Sequence, residues 1–86
     1  MPEPTQIVWS DEPNANVEHV AQHGVTPEEA DEVICEYYDQ RQRSRSHQHR
    51  WVVQGYTSAG RYLVVVFEII DETGVILPIT AFEPEN

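Results

Sequence analysis

Hydrophobic and polar positions follow two different periods along this chain, and the change of period divides it. Ile7-Val8-Trp9 is a short β-prone run, and Ser10-Asp11-Glu12-Pro13 joins cap-forming side chains to a proline suited to a first helical turn. The spacing predicts a helix from near Pro13 to His23, with Val17, Val20 and Ala21 forming one buried stripe at i, i+3 and i+4. Gly24 supplies a left-handed stop, and Val25 is placed to fold back over the last turn. Thr26-Pro27-Glu28-Glu29 reads as a capping box with proline at the first helical position, so a second helix is predicted over 27–38. Its apolar stripe is Ala30, Val33, Ile34 and Tyr37, which leaves Glu28, Glu29, Asp31, Glu32 and Glu36 to face water.

From 39 to 49 the residues DQRQRSRSHQH carry no apolar period, which predicts a polar loop of low order. Strand character resumes at Trp51-Val52-Val53, and 56–61 has the make-up of a hairpin connection with glycine near its end. Residues 62–70 are apolar at almost every position, the pattern of a central strand covered on both faces. Asp71-Glu72-Thr73-Gly74 then turns the chain into a last strand over 75–82, where Pro78 cannot donate to a ladder and requires an edge or a bulge. Residues 1–5 hold two prolines and no pattern, as a frayed terminus does. The predicted order is β-α-α-β-β-β: an α+β domain with two helices on one face of an antiparallel sheet.

Length and charge narrow the classes of function. A chain of 86 residues supports one domain, 1–86, with one modest core. Five arginines and no lysine stand against 15 acidic residues, giving a formal charge of −10 that opposes the approach of RNA or DNA phosphates. The single cysteine, Cys35, has no internal partner for a disulfide, and neither a leader nor an apolar run long enough to span a membrane is visible. These features predict a cytoplasmic protein with no membrane partner. No sequence motif implies a cofactor.

Three stretches, taken in order, resemble the BrnT family of RelE-like toxins. They are Val8-Trp9-Ser10-Asp11-Glu12 with Asn14 and Asn16, then His23-Gly24-Val25-Thr26-Pro27-Glu28-Glu29-Ala30, and then Gly55-Tyr56-Thr57-Ser58-Ala59-Gly60-Arg61 running into Leu63-Val64-Val65-Val66. Ile79-Thr80-Ala81 is similar to the end of that family's sheet. The resemblance covers most of the chain and implies a RelE-like fold, a metal-independent messenger-RNA endoribonuclease and a cognate antitoxin. Cleavage of that kind needs a base for the 2′-hydroxyl, an acid for the leaving oxygen and cations for the phosphate. BrnT-like chains carry lysine or arginine in the first helix, an arginine after the last-strand alanine and a basic final helix. Here Asn14, Ala15, Asn16, Phe82 and the tail Glu83-Pro84-Glu85-Asn86 occupy those places. The expectation is therefore a catalytically degenerate protein-binding module that meets an antitoxin, or a second copy through its last strand; an active ribonuclease is the alternative.

Arg61 occupies the matching position where a phosphate-binding role could persist, the bland alternative being an arginine paired with a nearby glutamate. His23 could supply acid–base catalysis or simply cap its helix, and His19 lies four residues earlier at a spacing that could hold a metal, without a third ligand nearby. His47 and His49 pose the same question in the polar run. Arg41, Arg43, Arg45 and Arg50 form a candidate binding set for RNA, an acidic partner or the chain's own acidic helices. Cys35 reads as a core or boundary residue rather than a nucleophile.

Overall fold

The computed structural model describes residue 4 and residues 6–85, so the expected fraying of 1–5 falls, Pro4 apart, outside the described residues. The elements are β1 (Gln6–Ile7), α1 (Asn16–Gln22), α2 (Pro27–Tyr37), β2 (Gln42–Arg43), β3 (Arg50–Tyr56), β4 (Tyr62–Ile69) and β5 (Val75–Phe82), with one 3₁₀ turn at Tyr38–Gln40. The fold is α+β: two helices and a five-stranded sheet in the order β1-β5-β4-β3-β2.

β1 runs parallel to β5, pairing Gln6 with Val75 and Ile7 with Ile76, so the sheet is mixed and not purely antiparallel as the pattern predicts. Two residues suffice because Val8 continues the ladder, its N–H donating to the Ile76 carbonyl at 2.9 Å. β5 is consequently second in the sheet order, with β1 paired along Val75 and Ile76 of its eight residues. The supposed loop 39–49 likewise contains ordered backbone: β2 pairs Gln42 with Val52 and Arg43 with Trp51. Pro78 sits at a bulge between β4 and β5, where Val66 faces Thr80 and Phe67 faces Pro78, leaving Ile79 as the extra residue. The bulge lets a residue without an N–H lie inside the sheet.

α2 begins with the capping box: the Thr26 hydroxyl accepts from the Glu29 N–H at 3.2 Å while Glu29 Oε1 accepts from the Thr26 N–H at 3.0 Å. Gly24, at φ +73°, ends α1, and Val25 folds back to bond the Val20 carbonyl at 3.0 Å. α1 itself starts at Asn16, three residues later than Pro13 suggests. Asn14 takes a left-handed φ of 64°, which breaks any helix begun at Pro13. The buried face of α1 is accordingly Asn16 and Val20, with Val17 half-buried and Ala21 exposed.

Asn16 is a buried polar side chain that joins three segments. Its Oδ1 accepts from the Ser10 N–H at 2.9 Å, and its Nδ2 donates to the Val8 carbonyl at 2.9 Å and the Pro78 carbonyl at 3.0 Å. It thereby holds the exit of β1, the start of α1 and the β5 bulge together, and satisfies backbone groups that the short β1 leaves unpaired.

The core lies between the helices and one face of the sheet. Leu63, Val65 and Phe67 of β4, Val53 of β3, and Ile76 and Ala81 of β5 meet Val20, Val25, Ala30, Val33 and Ile34. Gly55 is buried because the Tyr37 ring of α2 lies against it, where a Cβ would collide.

The opposite face of β3, β4 and β5 differs from expectation. Its registered rows are Arg50, Glu68 and Leu77; Val52, Val66 and Thr80; Gln54, Val64 and Phe82; and Tyr56 with Tyr62. The α1 end reaches its β5 side, where His23 meets the Phe82 ring and Leu77 shares a groove with His19, while the β3 and β4 valines of this face are half-buried. The continuous apolar run in β4 thus reflects one packed face and one open apolar face.

Candidate functional site

Arg61 stands where the β3–β4 hairpin re-enters the sheet. The Arg61 N–H donates to the Thr57 hydroxyl at 3.1 Å, and the Thr57 N–H to the Arg61 carbonyl at 2.8 Å, a closed turn that aims the guanidinium at the helices. Nη1 donates to the Gly24 carbonyl at 2.7 Å and to both Glu29 carboxylate oxygens at 3.0 and 3.1 Å. Nε and Nη2 both reach Glu83 Oε1, at 2.8 and 2.7 Å. One cation therefore fastens the α1–α2 junction, the start of α2 and the segment after β5.

The electrostatics follow from these contacts. The hydrogen bond that Arg61 donates to Glu83, then those to Glu29, push the Arg61 pKa above its ordinary value. The Thr26 backbone N–H, with Arg61 adding to it, holds the Glu29 carboxyl below its ordinary value despite the opposing effect of burial. With one positive group against two negative ones, the cluster carries net negative charge, and an incoming phosphate would have to displace a carboxylate.

His23 lies at the same corner, at the C-cap of α1. Its ring stands 6.1 Å from the Phe82 ring, tilted by 58°. The structure thus brings His23 and Arg61 to one region through Gly24, but the cation there is already coordinated by carboxylates. His19, one turn back, lines a groove of ≈ 270 Å³ with Asn16, Leu77, Pro78 and Ile79. Among the described residues no three His, Cys, Asp or Glu side chains form a group that could hold a metal.

The remaining cations lie elsewhere. Arg41 and Arg43 bracket Trp51, with guanidinium carbons 5.2 and 4.6 Å from its ring, and Arg41 also stacks on Tyr38 at 4.3 Å. Arg41 and Arg43 also donate to the Tyr38 and Gln48 carbonyls at 3.0 and 2.9 Å. Arg50 pairs with Glu68 across the strands at 3.7 Å, a half-exposed contact of small energetic weight. Arg45, His47 and His49 are exposed, and the His47 ring lies 3.1 Å from the Ser46 hydroxyl. The four binding-set arginines do not converge with Arg61: Arg41 and Arg43 stabilise the β2–β3 end through aromatic rings, and Arg50 neutralises a carboxylate.

Several residues with a part in this arrangement escape sequence reasoning. The acidic face of α2 is not simply solvated: Asp31 accepts from the Trp9 indole N–H at 2.7 Å, and Glu32 accepts from the Ser58 N–H at 2.7 Å. Burial raises the Asp31 pKa, with the Trp9 bond opposing it. Cys35 is exposed rather than a core or boundary residue. The signal available for Glu29 is its capping-box position, which reveals one of its two roles; nothing local points to Glu83.

No protein-family model, curated protein or solved structure matches the chain. No described helix is long and apolar enough to cross a membrane.

Proposed function

We propose that this chain is a BrnT-like domain of RelE-like fold that has lost ribonuclease chemistry and serves in the cytoplasm as a protein-binding module, half of a toxin–antitoxin-type protein pair. The observation that carries this reading is the state of Arg61. Its guanidinium is engaged by Glu29, Glu83 and the Gly24 carbonyl, so the one cation at the family-like position acts as a structural tie. Phosphoryl transfer from RNA requires several cations converging on one phosphate, and an isolated, doubly neutralised arginine offers almost none of that stabilisation. The net charge of −10 acts in the same direction by lowering encounter with RNA.

Two measurements test it. Induced expression with a growth readout, and primer extension on bulk messenger RNA, are expected to give normal growth and no new 5′ ends. Appearance of new ends that vanish in a folded Arg61→Ala variant would establish the ribonuclease instead. Co-expression with the product of the adjacent small reading frame is expected to yield a stable complex; two proteins that elute separately would remove the protein-pair half of the proposal.

A further inference from the structure

Two features of the open face of β3, β4 and β5 describe its occupant. The first is size. Three strands about 4.8 Å apart and four same-face rows about 7 Å apart make a patch of roughly 15 by 20 Å. That is roughly 300 Å², well below the about 800 Å² that each partner buries in a standard complex of globular proteins. It matches one α-helix, about 10 Å across with side chains and about 14 residues long. The second is charge. Arg50 and Glu68, the two charged groups on the patch, offset one another at 3.7 Å. Asp71 and Glu72 lie in the turn at the end of β4, Glu83 and Glu85 follow β5, and the whole chain carries −10. A second copy would bring the same field against this face, so the complementary occupant is cationic.

We propose that this face docks a single basic amphipathic helix of a partner protein. Its apolar stripe lies over Val52, Val64 and Val66, and its lysines or arginines flank that stripe. Tyr56, 61% exposed, stands edge-on to Tyr62 at 4.8 Å and closes one end with an amphipathic aromatic surface of the kind that dominates binding energy in protein interfaces. This inference rests on the protein-binding reading above, yet its test does not involve RNA, so the two can fail separately.

The probe is a synthetic leucine–lysine amphipathic helix of about 14 residues, set beside a leucine–glutamate peptide of the same pattern. Affinities come from calorimetry and the site from methyl shifts of Val52, Val64 and Val66. The lysine peptide is expected to bind with shifts confined to that face, and the glutamate peptide at least about tenfold more weakly, a factor worth about 1.4 kcal/mol. Val64→Lys is expected to weaken the lysine peptide by a similar factor. Should circular dichroism show that variant misfolded, the near-isosteric pair Val64→Thr and Val66→Thr carries the same expectation at several-fold. Absence of binding, shifts centred on the acidic side of α2, equal binding of both peptides, or a Kd indifferent to the face variants would each overturn the proposal. So would a concentration-dependent dimer in light scattering that Val64→Lys disperses, because the occupant would then be a second copy.

Discussion

Replacing Asn16 by alanine should weaken this fold more than its single polar side chain suggests. The substitution removes one accepted and two donated hydrogen bonds, all between 2.9 and 3.0 Å, and leaves the Ser10 N–H and the Val8 and Pro78 carbonyls without their partner. At about 1 kcal/mol net for each bond, the upper figure is about 3 kcal/mol. The groove of ≈ 270 Å³ beside Asn16 admits water to part of the site, which lowers the expected loss to about 2 to 3 kcal/mol. A domain of this size has a total stability of roughly 4 to 13 kcal/mol. The loss should therefore appear as a fall in Tm of roughly 10 to 20 °C. Urea denaturation with an unchanged m-value supplies the free energy, and hydrogen exchange at the Val8 amide reports whether β1 detaches before the rest. Glu18→Ala serves as the control, because the Glu18 carboxylate accepts an exposed 3.3 Å hydrogen bond from the Asn14 N–H, four residues earlier. A loss below about 0.5 kcal/mol in Asn16→Ala, or one equal to the control, would refute the clamp.

Gly55→Ala should destabilise by about 2 to 3 kcal/mol, since its Cβ meets the Tyr37 ring, and Tyr37→Leu in the same chain should restore part of the loss in denaturation curves. The Glu29 carboxyl is held below its ordinary 4.5, so its stabilising effect is present above that value and is lost as pH falls through the lower folded value. Glu29→Gln keeps the capping-box geometry but should be less stable than the parent at about pH 7, with the gap closing by about pH 3 in paired thermal melts. Asp31 has the opposite sign. Burial raises its pKa, so the charged form costs stability above the folded value and the cost vanishes on acidification; Asp31→Asn, which keeps an acceptor for Trp9, should match or exceed the parent at about pH 7 and lose that advantage by about pH 3.

Local chemistry made part of this fold legible. The Thr26–Glu29 box, the Gly24 stop and the apolar run of β4 each depend on neighbours within a few residues, and each stands where the pattern places it. What the pattern misses comes from contacts between distant segments. The β-prone run at Ile7 signals a first strand, but β1 is only two residues long and takes its neighbour and its parallel direction from β5 and Asn16, which no local pattern could announce. The helix start moves because Asn14 adopts a left-handed turn while Asn16 binds Ser10 and Val8. At the candidate site, the position of Arg61 and its pairing with a glutamate were readable but the identity of its partners was not: Gly24, Glu29 and Glu83 arrive from three separate segments. The continuous apolar character of β4 was visible too, yet an uncovered face and a covered one produce the same letters.

The parallel pairing of β1 with β5 also sets the order in which the chain can be finished. Antiparallel β3, β4 and β5 join through short turns and can zip up as neighbours, whereas Gln6 and Ile7 wait for Val75 and Ile76, nearly the full described length away. On the ribosome β1 emerges well before β5 and is thus among the last of these strands to find its place. Until β5 appears, the Asn16 side chain lacks the Pro78 carbonyl it will later hold, and the nascent chain carries the two helices and a growing meander with its first strand undocked. Closure of the sheet is therefore a late event of synthesis, made by the meeting of two strands far apart in sequence.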